Sequence, residues 1–291
     1  MFQYAAGRAL SEKHHVPLKL DLSYLKREWL ERLKGNPIRH YSLNIFNIQE
    51  DFAKTSELPP LAWFPGTRLA KTINCVSKLM APNAPTIIRE IPFNLAKNIT
   101  QLHNASSHIY LDGFWQNEEY FRSIREIILR EFTFTSELEG RNLELANQIT
   151  ATNSISIHIR RKEYIQHPVH SRFFSQCGQK YFQTCISFME QQIVDPHFFV
   201  FGDDPKWAKK YLKSKHPITF VEHNLKTNHY YEDIRLTSLC QHNIISNSTF
   251  CWWAAYFNQN PQKIVLAPKP WFKAKINNTG LIQPSWIEIG I

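Results

Sequence analysis

The chain has 291 residues, of which 43% are hydrophobic and 20% charged, and it carries a formal net charge of +9 at pH 7. This composition is globular and excludes a disordered or low-complexity protein, and the length suits one large domain or two ordinary ones. The longest apolar stretch, Ile244 to Phe257, is broken by Ser246, Asn247, Ser248 and Thr249, which excludes a bilayer span, and the first eight residues lack the basic-then-apolar layout of a signal peptide.

The positive charge fits nucleic acid, an anionic lipid surface or a nucleotide substrate. Lysine and arginine are scattered in small groups such as Lys26-Arg27 and Lys209-Lys210. Without a zinc finger, an aromatic-basic RNA signature or a basic helical stripe, a dedicated nucleic-acid binder is disfavoured. A solvated basic surface with some attraction to membranes is the simpler reading. The five cysteines form no C-x-x-C pair and have no metal-ligand spacing with histidine, so reduced thiols in a cytosolic compartment and no metal centre are expected.

In chain order, apolar and small residues at positions 2, 5, 6, 9 and 10 give a helix over Phe2 to Lys13, and Val16 to Asp21 reads as a strand. A helix followed by a strand is an odd opening for a βαβ protein, as if one strand were missing in front. Residues 22–108 are punctuated by prolines and stay mixed. Ile109 to Trp115 is strand-like, Asn117 to Arg130 a helix, and Leu138 to Thr150 another. From there the alternation is regular. Strands at Ser154–Ile159, Phe198–Phe201, Ile218–Val221, Asn243–Ile245 and Ile264–Leu266 are separated by helices at Lys180–Gln192, from Pro205, at Tyr231–Leu239 and at Thr249–Phe257. Such alternation implies a parallel sheet with helices on both faces.

Three of these strands end in polar clusters: His158-Ile159-Arg160-Arg161-Lys162-Glu163, Gly202-Asp203-Asp204 and Ser246-Asn247-Ser248-Thr249. In a parallel sheet all three fall on one edge, where open α/β sheets bind ligands. Arginine offers a permanent charge and a planar fork suited to phosphate, and a helix start at Thr249 offers backbone donors. Each cluster has a plainer reading. The arginines suit a solvated surface equally well, Ser248 and Thr249 suit a helix cap, and Asp203-Asp204 suit a cap before Pro205, a metal pair or a ribose ligand. Asp233 reads as an exposed carboxylate paired with a neighbouring base.

The blocks Gly113 to Phe121, His158 to Arg161 and Asp233 through Trp253 closely resemble glycosyltransferase family 11, the inverting α-1,2-fucosyltransferases that use GDP-fucose. Met1 to Gly7 is similar to the tail of that family's first motif and Ile264 to Phe272 to its last. The resemblance implies an α/β, GT-B-like fold of two Rossmann-like halves: an acceptor-side domain over 1–150 and a GDP-fucose-binding domain over 151–291 with the nucleotide-sugar site. It implies metal-independent, cofactor-free transfer of fucose to a galactoside 2-hydroxyl in surface-glycan synthesis, in the cytoplasm or at the inner face of a membrane. Arg160 would hold the β-phosphate, with Arg161 behind it. Ser248 and Thr249 would bond the same phosphates beside Asn247, and His158 and Asp233 would sit near the guanine. Glu163 or Asp112 would be the base. Two departures stand out. Lys162-Glu163 replaces the family's usual Gly-Asp pair, and the chain starts inside the first motif, without the strand and Gly-Asn-Gln loop expected before it. A late start or a truncation follows as an expectation, and with it the alternative of a nucleotide-sugar-binding remnant.

Overall fold

The computed structural model describes residues 1–25, 40–59, 85–92, 94–105, 108–162, 165, 174–225, 227, 229–273 and 280–291. These fall into two compact units, Met1–Ser136 and Glu137–Ile291.

In the first unit, helix α1 (Phe2–His14) buries Phe2, Tyr4, Ala5, Ala6 and Leu10, the face its spacing predicts. It stops at His15, whose backbone is left-handed at φ 53°. The strand expected over Val16 to Asp21 contracts to one parallel bridge, Leu20 with Phe52. Strands β1 (Thr86–Arg89) and β2 (Ile109–Asp112) form a two-stranded parallel sheet, with Thr86 opposite Ile109 and Arg89 opposite Asp112. Between them lies helix α2 (Leu95–His103), capped by the Asn94 side chain on the Lys97 N–H at 3.2 Å. Neither β1 nor α2 is expected from the sequence.

The helix expected over Asn117 to Arg130 is split. Two 3₁₀ turns, Glu118–Tyr120 and Arg122–Ile124, precede α3 (Arg125–Glu131). The Asn117 carboxamide accepts the Glu119 N–H at 3.0 Å and tightens the first turn. Phe121 then leaves helical geometry at φ −139°, ψ 12° and is fully buried, its ring 6.1 Å from that of Phe2. Burying this aromatic outweighs an unbroken helical ladder.

In the second unit, α4 (Gly140–Thr150) packs Leu145, Ala146 and Ile149 with Phe199, Phe201 and Leu236, which is why the division between units falls at Ser136 and Glu137 rather than after residue 150. The sheet comprises β3 (Asn153–Ile159), β4 (Pro196–Gly202), β5 (Ile218–Phe220), β6 (His242–Ile244), β7 (Val265–Lys269) and β8 (Ile287–Gly290), every pair parallel. Their order is β5-β4-β3-β6-β7-β8. Counted from β3, that is the 3-2-1-4-5-6 order of dinucleotide-binding folds. Ile155, Ile157, Phe198 and Val200 bury one face under α5 (Gln179–Gln192) and α6 (Pro205–Tyr211); α4 and α7 (Glu232–Leu239) contribute to the cluster on Phe199 and Phe201. A sheet covered on both faces makes β3 and β4 almost wholly buried. Helix α8 (Thr249–Phe257) is buried from Cys251 through Tyr256, and its Trp252 indole donates to the Leu281 carbonyl at 2.6 Å.

Cys177, Cys185, Cys240 and Cys251 are free and buried. Burial pushes the Cys251 thiol up to about 11 and that of Cys185 to about 12, and raises Cys177 and Cys240 as well. Among the described residues no helix is long and apolar enough to cross a membrane. The architecture is mixed α/β with parallel sheets, consistent with the Rossmann-like GT-B fold that the sequence resemblance implies.

Candidate active site

Strands β3 and β6 are hydrogen-bonded neighbours, with Ile155 opposite His242 and Ile157 opposite Ile244. Successive connections leave this pair toward opposite edges of the sheet, which makes it the topological switch point where open sheets bind ligands. Two of the three polar strand ends are therefore adjacent, and the third, on β4, flanks β3 on its other side.

The end of β4 fixes the backbone around Arg160. Gly202 has φ 122°, and a Cβ there would lie 2.0 Å from the Ile159 carbonyl oxygen, so only glycine fits. This close approach lets the Asp203 N–H donate to the Ile159 carbonyl at 3.1 Å, while the Asp203 carboxylate accepts the Arg161 N–H at 2.8 Å. The peptide groups on both sides of Arg160 are thus held by one residue. Asp203 Oδ2 also lies 3.7 Å from Arg160 Nη1, and the Arg160 side chain remains 36% exposed. Its charge is presented to solvent from a rigid strand end.

Arg161 points elsewhere. Its guanidinium donates to the Cys177 carbonyl at 3.2 Å and lies 4.0 Å from the centre of the Trp207 ring. Burial lowers its pKa, yet the neighbouring Asp204 and Asp203 act in the opposite direction and arginine stays charged. The Asp204 side chain accepts the Trp207 N–H at 3.3 Å with Pro205 opening α6, so the capping reading holds for Asp204.

His158 is buried, its Nδ1 3.3 Å from Ser246 Oγ and its ring 5.2 Å from that of Phe250. Burial, with the Arg160 charge adding to it, lowers its pKa to about 3 and keeps the imidazole neutral. Asn247 is turned inward. Its amide donates to the Ser175 carbonyl at 2.5 Å and to the Trp271 carbonyl at 2.9 Å, and clasps the segments before α5 and after β7. Ser248 occupies the N-cap position of α8 but makes no side-chain capping bond there, unlike the plainer reading of this segment. Ser248 and Thr249 therefore bring hydroxyls and a helix start to the switch point.

Asp233 is not an exposed carboxylate. It sits in the first turn of α7, 5% exposed, and accepts the Asn224 amide at 2.9 Å. Asn224 is tied in turn to Asn142 on α4. Burial pushes the Asp233 carboxyl up to about 7. Helices that follow strands in this sheet begin at its carboxyl edge, so the first turn of α7 belongs to the same edge as Arg160. Glu163 lies outside the described residues. Asp112, at the end of β2 in the first unit, pairs with Arg89 at 2.8 Å. Among the described residues no three His, Cys, Asp or Glu side chains are grouped to hold a metal ion. Sequence reasoning missed Gly202 as the close approach of β4 to β3, Trp207 as the seat of Arg161 and Asn224 as the partner of Asp233. Only the Gly-Asp-Asp run after β4 carried a signal for any of them.

A cation and a helix start on adjacent strand ends can hold an anion between them. Comparison with known proteins gives this geometry its class. The model of glycosyl transferase family 11 matches residues 86–290. Over 99% of its length the chain is 30% identical to an alpha-1,2-colitosyltransferase of Escherichia coli, covering 94% of that protein. It is 28% identical to the O-antigen biosynthesis glycosyltransferase WbnK of Escherichia coli, again over 99% of this chain and 96% of the other. Human galactoside alpha-(1,2)-fucosyltransferase 1 is 25% identical over 59% of this chain and 52% of its own. The chain belongs to glycosyl transferase family 11, and is a glycosyltransferase of glycan biosynthesis that takes a nucleotide-sugar donor and a glycan acceptor.

Proposed function

We propose that the enzyme transfers fucose from GDP-fucose to the 2-hydroxyl of a galactoside, with inversion and without a metal or other cofactor, in the synthesis of a surface polysaccharide. The observation that carries this reading is the half-buried Arg160 guanidinium at the end of β3, the strand paired with β6, whose continuation opens α8 at the switch point. In the transfer, the acceptor O2 attacks C1 of the sugar from the face opposite the nucleotide. The C1–O bond to the β-phosphate breaks, its electron pair leaves with GDP, and the acceptor proton passes to a carboxylate. Negative charge grows on the leaving diphosphate, where fixed donors stabilise it most. Arg160 takes this role, with Ser248 and Thr249 bonding the same phosphates and Arg161 bracing the strand end. Neutral His158 lines the nucleotide, and Asp233 accepts from the guanine N–H groups, a reason for burying a carboxylate at a cost. Glu163 or Asp112 receives the proton. Asn247 shapes the loop that carries Ser248.

A second donor, GDP-colitose, is favoured by the likeness to an alpha-1,2-colitosyltransferase. The net charge of +9 suits a peripheral position on an anionic membrane on the cytoplasmic side, where lipid-borne glycans are assembled. Incubating the purified chain with lactose and either GDP-fucose or GDP-colitose should release GDP and give an α-1,2 product by NMR, undiminished by EDTA. Release of GDP from neither donor, with GDP still binding in calorimetry, would favour the binding remnant and overturn the reading.

A further inference from the structure

We propose that Phe114 is the stacking platform for the acceptor sugar, a role that rests on the glycosyl-transfer reading for its ligand class. Phe114 follows the carboxyl end of β2 and is 72% exposed. Single exposed aromatics are common and need no explanation. This one is held with unusual care. The Glu90 carboxylate, at the carboxyl end of β1, accepts the Phe114 N–H at 2.7 Å and the Trp115 N–H at 2.9 Å through one oxygen. The Glu90 N–H in turn donates to the Asp112 carbonyl at 2.8 Å. Gln3 donates to the Gly113 carbonyl at 2.7 Å. A Cβ on Gly113 would lie 2.4 Å from that of Glu90, so the turn closes only on glycine. Trp115 is fully buried at φ 55°, a left-handed backbone that bulky residues rarely adopt, with its ring edge-on to Tyr120 at 5.3 Å. A strained, buried residue anchors a rigid turn whose apex is an exposed phenyl ring. Strain of that kind persists where the surroundings impose it, and it collects at ligand sites.

The ligand follows from the chemistry of the turn. An aromatic face with a partly exposed carboxylate two residues earlier, at Asp112, matches a ring with an apolar face and a rim of hydroxyls. A β-galactoside has that shape. Its axial 4-hydroxyl leaves the C–H bonds at C3, C4 and C5 on one side as a continuous apolar patch, whereas a glucoside breaks that patch. The carboxyl edge of β1 and β2 is also where a parallel sheet opens to ligands.

Saturation-transfer NMR on the full chain with methyl β-galactoside tests this directly. Saturation should be strongest at H3, H4 and H5, weaker for methyl β-glucoside, lost in Phe114→Ala and kept in Phe114→Trp. In the transfer assay Phe114→Ala should raise the acceptor KM at least tenfold and leave the donor KM within twofold. At such an exposed position the substitution should not unfold the chain, which its melting temperature checks. An unchanged acceptor KM in Phe114→Ala while the wild type transfers sugar would falsify the platform and leave the function standing. Phe114-dependent galactoside binding without GDP release from any donor keeps the platform and removes the transfer reading. A wild type in which neither methyl glycoside is saturated also overturns the platform.

Discussion

The two units place their charged groups differently. In the second, a regular six-stranded parallel sheet brings Arg160, Asp203, Asp233 and the α8 start to one edge, each residue following a strand or opening a helix that does. In the first, the described strands are two, and order comes from side chains tied to backbone and to one another: Glu90 on the Phe114 turn, Arg89 on Asp112, and Tyr4 with Arg8 on Glu131. The sheet of the second unit is specified by burial on both faces, and its edge is pinned where the β4 backbone closes on β3 at Gly202. The first unit relies on local ties, and there single substitutions should move a loop without melting the unit. A fixed scaffold suits a constant nucleotide, and adjustable turns suit an acceptor.

The widest separation between the units should come from Gly202→Ala. With backbone 2.0 Å from the new Cβ, we expect a loss of about 4 kcal/mol in the second unit, read as a fall in urea midpoint. A midpoint unchanged from wild type would mean that the β3–β4 edge is softer than described. Next, Arg160→Ala should lower kcat by about 10²–10³-fold, roughly 3–4 kcal/mol of transition-state stabilisation, at unchanged melting temperature. A change confined to the acceptor KM would move Arg160 out of the nucleotide site.

Asp233→Asn comes third, with a pH signature. Burial raises the folded carboxyl from 3.8 to about 7, so the native state holds the proton more tightly than the unfolded chain. The stability this contributes is present below about pH 4 and is lost as pH rises through 7. The amide should therefore be more stable than the carboxylate at pH 8 and nearly equal to it at pH 4. Urea melts at both pH values check this, and calorimetry with GDP should detect weaker binding in the same variant. Equal stability at both pH values would show that Asp233 is solvated. The smallest effect belongs to the first unit. Tyr4→Phe deletes the 2.7 Å bond to buried Glu131 and should cost about 1–2 kcal/mol, with Arg8 still holding that carboxylate.

How far these features could be read beforehand depended on where their cause lay. The alternation of strands and helices after residue 150 was legible because burial leaves short segments rich in isoleucine, valine and phenylalanine, β3 and β4 above all, between the helical stretches. The convergence of Arg160 with Ser248 and Thr249 was legible from parallel topology alone, although the pairing of β3 with β6 was not. Strand β8 escaped notice because it is largely exposed and its Ile287-Glu288-Ile289 pattern is too short to stand out. Asp233 misled because α7 buries charged and apolar residues side by side, from Glu232 to Thr237, leaving no polar face to read. Gly202 and Trp115 owe their importance to φ angles, which depend on what approaches the backbone from elsewhere.

The buried sulfur atoms of the second unit have a practical use. All four described thiols lie between Cys177 and Cys251, none is more than 1% exposed, and burial suppresses ionisation at each. Only a thiolate reacts readily with an alkylating reagent. Their modification rate at neutral pH therefore clocks the opening of this unit, and its slowing by a nucleotide would reveal donor binding without any turnover.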